Sequence, residues 1–240
     1  MMVKIMKDNK IQNIFNTISK DYDQMNDIIS FKQHDVWRKK TMSEIFLHDD
    51  DNVLDLCCGT GDWTIQLAES NPNVNVIGLD FSENMLKVAE SKVKHLQNVE
   101  LLQGDAMDLP FEDNSFDLIT IGFGLRNLPD YKQALIEVAR VLKPGGHFVI
   151  LETSNPNNKV VATLFNIYFG KIMPLFGKIF AKSGEEYKWL YESTRDFLSK
   201  EELKDLMDST GFTNIKIVPH NMGMAATHLA YKPIDYDKTV

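Results

Sequence analysis

Three aspartates, each closing a run of apolar residues, have the types and spacing from which chemistry can be read. The first is Asp55 in "VLDLCCGTGDWT", residues 53–64, where a buried strand runs into a tight turn at Gly59, Thr60 and Gly61 and then into a helix. The turn looks like a dinucleotide loop, but that fingerprint needs a third glycine three positions after Gly61, and Thr64 stands there. What remains is a carboxylate able to meet an ammonium, and two glycines that let backbone come close to a ligand. Nineteen positions after Gly61, "VIGLDFS" ends a second run at Asp80, followed by Phe81. A carboxylate there can accept hydrogen bonds from both hydroxyls of a ribose. A third run delivers "LLQGDAMDLPF", which sets Asp105 and the Ala106 backbone where an adenine amino group and ring nitrogen can be read. Ammonium, ribose and adenine, with no pyrophosphate to cradle, describe S-adenosylmethionine (SAM). Asp55, Gly59, Thr60, Gly61, Asp80, Phe81, Asp105 and Ala106 are its candidate contacts. The competing reading makes Asp80 and Asp105 helix caps or turn formers, a frequent duty of aspartate.

For three strand ends to converge, the strands must lie side by side, and the chain alternates accordingly. Strands are predicted at 52–57, 74–80, 99–103, 116–122 and 146–152, with helices from about 62, at 83–96 and at 130–142. Asn71-Pro72, Leu109-Pro110 and Lys143-Pro144-Gly145-Gly146 fall between elements, and Ser82 is placed to cap the helix after it. Further on, Ser199 and Glu202 stand at the capping-box positions of "SKEELKDLMDSTG", and strands at 213–218 and about 223–231 make a late hairpin. The prediction is an α/β protein with a doubly wound parallel sheet, seven-stranded in all. One domain spans 1–240: an N-terminal helical segment at 1–50, a cofactor-binding core at 51–152, a helical substrate cover at 153–198, and a C-terminal helix and hairpin at 199–240. Residues 52–152 resemble the class I SAM-dependent methyltransferases, a Rossmann-like fold.

With 240 residues, 43% hydrophobic and 25% charged, the chain is built like an ordinary globular protein. Its net charge of −8 argues against a broad phosphate-binding surface, so no nucleic acid is expected as partner. Cys57 and Cys58 are adjacent, which leaves them unable to staple distant segments and too few for a structural zinc. No metal is expected, and a reducing, cytoplasmic setting fits. The N-terminal "MMVKIMKDNKIQNIF" lacks the apolar core of a signal peptide. "VVATLFNIYFGKIMPLFGKIFAK", residues 160–182, is greasy, yet Lys171, Pro174 and Lys178 interrupt it where a membrane span needs ~20 consecutive apolar residues. It reads as a helical cover over a greasy cavity or an interfacial segment, with a plain core helix pair as the alternative.

Two further stretches narrow the substrate. "YDQMNDIISFKQHDVW", residues 22–37, and "RVLKPGGHFVILETS", residues 140–154, together resemble the menaquinone/ubiquinone biosynthesis C-methyltransferase family, and the likeness runs from about residue 10 to 231. It is nearest to Gram-positive bacterial members of the menaquinone branch. The resemblance implies methylation of a ring carbon of a prenylated naphthoquinol, with the benzoquinol of the ubiquinone branch as the alternative. A small-molecule O- or N-methyltransferase would share the cofactor loop without requiring the two signatures. A non-catalytic SAM-binding or redox sensor switching through Cys57 and Cys58 would need a strained disulfide.

Carbon is a poor nucleophile until the neighbouring quinol hydroxyl loses its proton, so an anion-stabilising group and a dry pocket are wanted. "IGFGLRNLPD", residues 121–130, follows the fourth strand, and the resemblance supports it as part of the active site. Arg126 stays protonated and is read as stabilising the quinolate or positioning a water that takes the proton, with Asn127 fixing a ring oxygen. The plainer reading pairs Arg126 with Asp130 on the surface. Tyr22 is a candidate hydrogen-bond donor to the quinol, and His34 a candidate base, although His34 also falls three residues from Trp37 on one helix and can simply pack there. Phe165, Ile167, Phe169, Leu175, Phe176 and Phe180 are read as lining a prenyl channel, with Lys171, Lys178 and Lys182 meeting anionic headgroups. That predicts peripheral contact with the inner face of the cell membrane. The N-terminal stretch and the late hairpin offer surfaces for a homodimer.

Overall fold

The computed structural model describes residues 11–156 and 192–234, with 158, 160, 163, 167 and 189 between them. Within these, strands β1 (Asn52–Leu56), β2 (Asn75–Asp80), β3 (Val99–Gln103), β4 (Phe116–Gly122), β5 (Leu142–Thr153), β6 (Thr213–His220) and β7 (Ala225–Tyr231) form one sheet in the order β3-β2-β1-β4-β5-β7-β6. β1 to β5 are parallel, whereas β7 inserts antiparallel between β5 and β6. The sheet is therefore mixed, and the late hairpin is no appendage: β7 is paired on both sides, and β6 and β3 are the two edge strands. The strand order reverses between β1 and β4, and in open α/β sheets ligands settle at such a switch point, beyond the carboxyl ends of the strands.

Period-two alternation decides what reaches each face. Leu54 and Leu56 join Ile119, Ile121 and Phe148 in one buried cluster, and Val53 joins Leu118, Val149, Trp37 and Trp63 in the other. Helices are α1 (residues 11–18 of its length), α2 (Tyr22–Ser30), α3 (Gln33–Met42), α4 (Asp62–Ser70), α5 (Glu83–Val93), α6 (Tyr131–Val141) and α7 (Lys200–Ser209). Their ends follow local chemistry. Ser82 accepts from the Met85 amide to start α5, Asp130 accepts from Gln133 to start α6, and Ser199 with Glu202 closes a full capping box on α7.

Two expectations change. Lys143 to Gly146 lie inside β5 rather than before it: Leu142 already pairs with Phe116, and Gly145, at φ 80°, donates to the Lys232 carbonyl at 2.8 Å. A local Pro-Gly signal cannot reveal that a distant residue supplies the missing partner. The sheet, expected to be parallel, also takes in the antiparallel β7, and from residue 11 onward α1 and α2 lie over the carboxyl ends of the strands. Of the 160–182 segment, Val160, Thr163 and Ile167 are described and exposed. Phe165, Phe169, Leu175, Phe176, Phe180, Lys171, Lys178 and Lys182 lie outside the described residues.

Candidate active site

A cleft enclosing about 810 Å³ of empty space, open solvent at its mouth included, sits at the switch point. The turn after β1 gives it Cys57 and Gly59, and the end of β2 gives it Asp80 and Phe81. Asp105 and Ala106 come from the loop after β3, and Gly122 to Gly124 from the end of β4. α1 and α2 form its roof through Ile11, Gln12, Phe15 and Tyr22. A smaller cavity adjoins it and shares Tyr22, Cys57, Gly59, Gly122 and Phe123; Asp55, Thr60, Asp62, Arg38 and Asn26 complete its wall.

Asp55 is 1% exposed. Its register partner on β4 is Thr120, whose hydroxyl donates to Oδ1 at 2.9 Å, and Thr64 of α4 donates to Oδ2 at 2.7 Å. On the other side it faces Gly78, where a Cβ would stand 3.1 Å from both Cys58 Sγ and Thr64 Oγ1, so the missing side chain makes room for this arrangement. Burial lifts the carboxyl to about 6, against the pull of the two threonine hydroxyls. Asp80 accepts from the Gly59 amide and the Ser82 amide, both at 2.8 Å, and burial again raises its pKa. One amide on each oxygen leaves a lone pair of each for a diol. Asp105 accepts from the Met107 amide at 2.9 Å beside Ala106. Asp80 and Asp105 thus shape their own turns and also line the cleft, so the turn-forming duty leaves a ligand-facing one open to both.

The two glycines divide their work. Gly59, at φ 57°, meets nothing nearer than Tyr22 at 4.0 Å, which leaves space for a ligand. Gly61, at φ 83°, would bring a Cβ within 3.1 Å of Ala89, so it serves the approach of α5 instead. Thr60 donates to Asp23 at 2.6 Å, and Lys92 bonds Asp23 as well as Asp62 at 2.8 Å. Burial works against the Lys92 ammonium, yet these two carboxylates outweigh it and raise its pKa. α2 is thereby strapped to the glycine turn. α1 is held over the end of β2 by Gln12 to the Phe81 carbonyl at 3.1 Å and by Ser82 to Asn16 at 2.6 Å.

Of the substrate-side candidates, Tyr22 and Asn127 line the cleft, whereas Arg126 and His34 do not. Arg126 is 8% exposed, and its guanidinium bonds Glu152 at the end of β5 and the Phe123 carbonyl, each at 2.6 Å. Asp130 is occupied in capping α6, so the surface pair does not form. Arg126 Nε has no hydrogen-bond partner. Asn127 is fixed by the Phe123 carbonyl at 3.2 Å and by Trp189 Nε1 at 3.1 Å. His34 bonds Ser30 Oγ at 2.6 Å and stands 3.3 Å from Asp35; burial lowers its pKa. It lies with Asp27 and Asp35 at metal-ligand spacing, but Lys32 and Arg38 already pair those carboxylates. His34 is thus a packing residue of α3, tied to a hydroxyl where a backbone carbonyl was the expected partner. Glu152, Thr64, Thr120, Arg38 and Lys92 were given no role from sequence. The partners of Glu152, Thr120 and Lys92 lie 26 or more residues off in the chain, and Thr64 and Arg38 take their roles only once the sheet and the N-terminal helices are assembled.

The cleft so built has known counterparts. Solved structures that superpose on the chain include a SAM-dependent methyltransferase from Aquifex aeolicus, with 21% identity and a TM-score of 0.63 over 90% of this chain and 97% of that one. Another, from Thermotoga maritima, is described as a possible histamine N-methyltransferase, with 21% identity and a TM-score of 0.68 over 92% and 99%. These establish the fold. Sequence goes further: demethylmenaquinone methyltransferases of Staphylococcus aureus strains JH9 and Newman are each 53% identical over 97% of this chain and 99% of their own length. The sequence model of the ubiE/COQ5 methyltransferase family matches residues 3–232, a span holding every element of the cleft from roof to β7, and the chain belongs to that family.

Proposed function

We propose that this protein transfers a methyl group from SAM to a ring carbon of demethylmenaquinol, giving menaquinol, the last step of menaquinone biosynthesis. The observation that carries the reading is the convergence of Asp55, Asp80 and Asp105 at the switch-point cleft of a chain 53% identical to demethylmenaquinone methyltransferases. Asp55 suits the ammonium of SAM, Asp80 its ribose, and Asp105 with Ala106 its adenine. Bound there, SAM supplies an electrophilic sulfonium methyl, and no covalent enzyme intermediate is needed.

The chain's task is to make a ring carbon nucleophilic. Tyr22, whose phenol burial pushes above its ordinary value, stays protonated and donates to a quinol oxygen. The Arg126 guanidinium, buried beside the cleft-lining Asn127 and fixed by Glu152, stabilises the quinolate through its charge. Asn127, locked between Phe123 and Trp189, bounds the ring. Cation and anion neutralise each other as the methyl moves, so the apolar wall of Phe15, Leu79, Met85 and Leu128 favours the step by excluding water. Holding the two reactants together contributes much of the rest.

A prenylated acceptor puts the enzyme at a membrane surface. Among the described residues no helix is long and apolar enough to cross one. The apolar 160–182 stretch with its lysines supports peripheral contact at the inner face, with the prenyl tail against it. The test incubates the purified protein with methyl-labelled SAM and reduced demethylmenaquinone, beside a demethylated ubiquinone precursor, and reads the quinones by mass spectrometry. Label on the naphthoquinol ring carbon is expected. Label on the benzoquinol alone would move the protein to the ubiquinone branch, and label on neither would remove the substrate assignment.

A further inference from the structure

Arg38 is a buried cation with too few partners. On α3 it is only 8% exposed, yet among the described residues its guanidinium makes a single hydrogen bond, from Nη1 to Asp35 Oδ1 at 3.3 Å. Asp35 is shared with His34 at the same distance. Asp62 stands 3.7 Å away, and its other oxygen is held by Lys92 at 2.8 Å. A guanidinium carries five N–H donors in a planar fork, and Arg38 borders the adjoining cavity, where a ligand can meet the donors that lack a protein acceptor.

The fork borders the smaller cavity, whose wall also carries Asp55, Gly59 and Thr60. Arg38 is close enough to lower the Asp55 carboxyl and the Tyr22 phenol electrostatically. A cavity with a buried carboxylate on one wall and an underpartnered guanidinium on another suits a zwitterion, ammonium to the first and carboxylate to the second. We propose that Arg38 holds the carboxylate of the amino-acid end of SAM. This rests on the SAM reading above and adds the residue that distinguishes an α-amino acid from a simple amine. The planar fork matches a carboxylate two-pronged, which a lysine cannot do. Because Arg38 belongs to α3, the bound carboxylate also joins the N-terminal helices to the glycine turn, alongside the Thr60, Asp23 and Lys92 strap.

The test is titration calorimetry of the full-length protein with SAM and with decarboxylated SAM, which keeps the ammonium and adenosine and lacks only the carboxylate. The wild-type protein is expected to prefer SAM by at least about 30-fold, the scale of a lost buried charge partner. Arg38→Met should lose that preference, weakening SAM while leaving the decarboxylated compound within about threefold, and Arg38→Lys should recover part of it. Equal affinity of the wild type for both compounds would overturn the proposal, and needs no variant to fold. So would an Arg38→Met protein that loses both ligands alike, since Arg38 would then only support the fold. A wild type that binds neither compound would remove the SAM reading itself, which separates the two failures.

Discussion

Asp55 sits where its charge opposes folding and serves binding. Its pKa is 3.8 ordinarily and about 6 in the folded chain, so the folded state holds the proton more tightly than the unfolded one. The stability tied to this group is therefore present in acid and lost as pH rises from about 4 through about 6, a cost of about 3 kcal/mol above that window. Asp55→Asn should raise the melting temperature of the cofactor-free protein at pH 8, with the gap closing near pH 4, and should abolish SAM binding. A gap that ignores pH would show that burial of this charge is not the cost. In the wild type, SAM affinity should fall by up to tenfold per pH unit below about pH 6, as the ammonium loses its partner. Arg126 and Glu152 form the second buried pair, at 2.6 Å. Glu152→Gln strands the guanidinium and should cost about 3 kcal/mol in denaturant unfolding, along with most activity. Adding Arg126→Met should restore stability without restoring methyl transfer; a double variant that regains turnover would remove Arg126 from the chemistry.

At the scale of elements, the sequence exposed what local chemistry decides. Ser82, Asp130, Ser199 and Glu202 cap the helices they precede, and the runs ending at Asp55, Asp80 and Asp105 are strands whose ends meet at one cleft. Strand order and register are another matter. Nothing near residues 225–231 announces that this strand enters between β5 and β6, because the partners that recruit it are more than seventy residues back in β5. Arg38 hid for the same reason: a charged residue after Trp37 on a polar helix looks solvated until the sheet buries it. The N-terminal roof is the element where this matters most for function. α2 is tied to the turn through Asp23, Thr60 and Lys92, and because the Asp23–Lys92 ion pair is partly accessible the strap governs motion more than global stability. Lys92→Met should leave the unfolding free energy within about 1 kcal/mol of wild type. SAM should dissociate several-fold faster by stopped-flow fluorescence, and unchanged dissociation would mean the roof is not what the cofactor must lift.

For the molecule as a whole, the cleft divides its ligands by polarity. In the proposed reaction the cofactor takes the acidic strand ends, while the quinol ring takes the apolar wall and the 122–129 loop of the cleft. A long prenyl tail needs apolar surface beyond the ring, and the sequence offers a candidate for it. β5 ends at Thr153 beside Glu152, Trp189 reaches Asn127 at 3.1 Å, and a stretch of sequence joins the two points. That stretch contains the apolar run 160–182. Burying each additional prenyl methyl or methylene group against it contributes about 0.8 kcal/mol, so the contribution should grow with tail length until the tail outruns the protein and enters lipid. Phe165→Ala together with Phe176→Ala should therefore raise KM for a long-tailed demethylmenaquinol by about tenfold and change it little for an analogue with a single prenyl unit. Turnover of the short analogue should stay near wild type, because the ring site is built from other elements. Equal losses on both substrates would mean that these phenylalanines support the fold or the ring, and the tail would have to leave the cleft by another route.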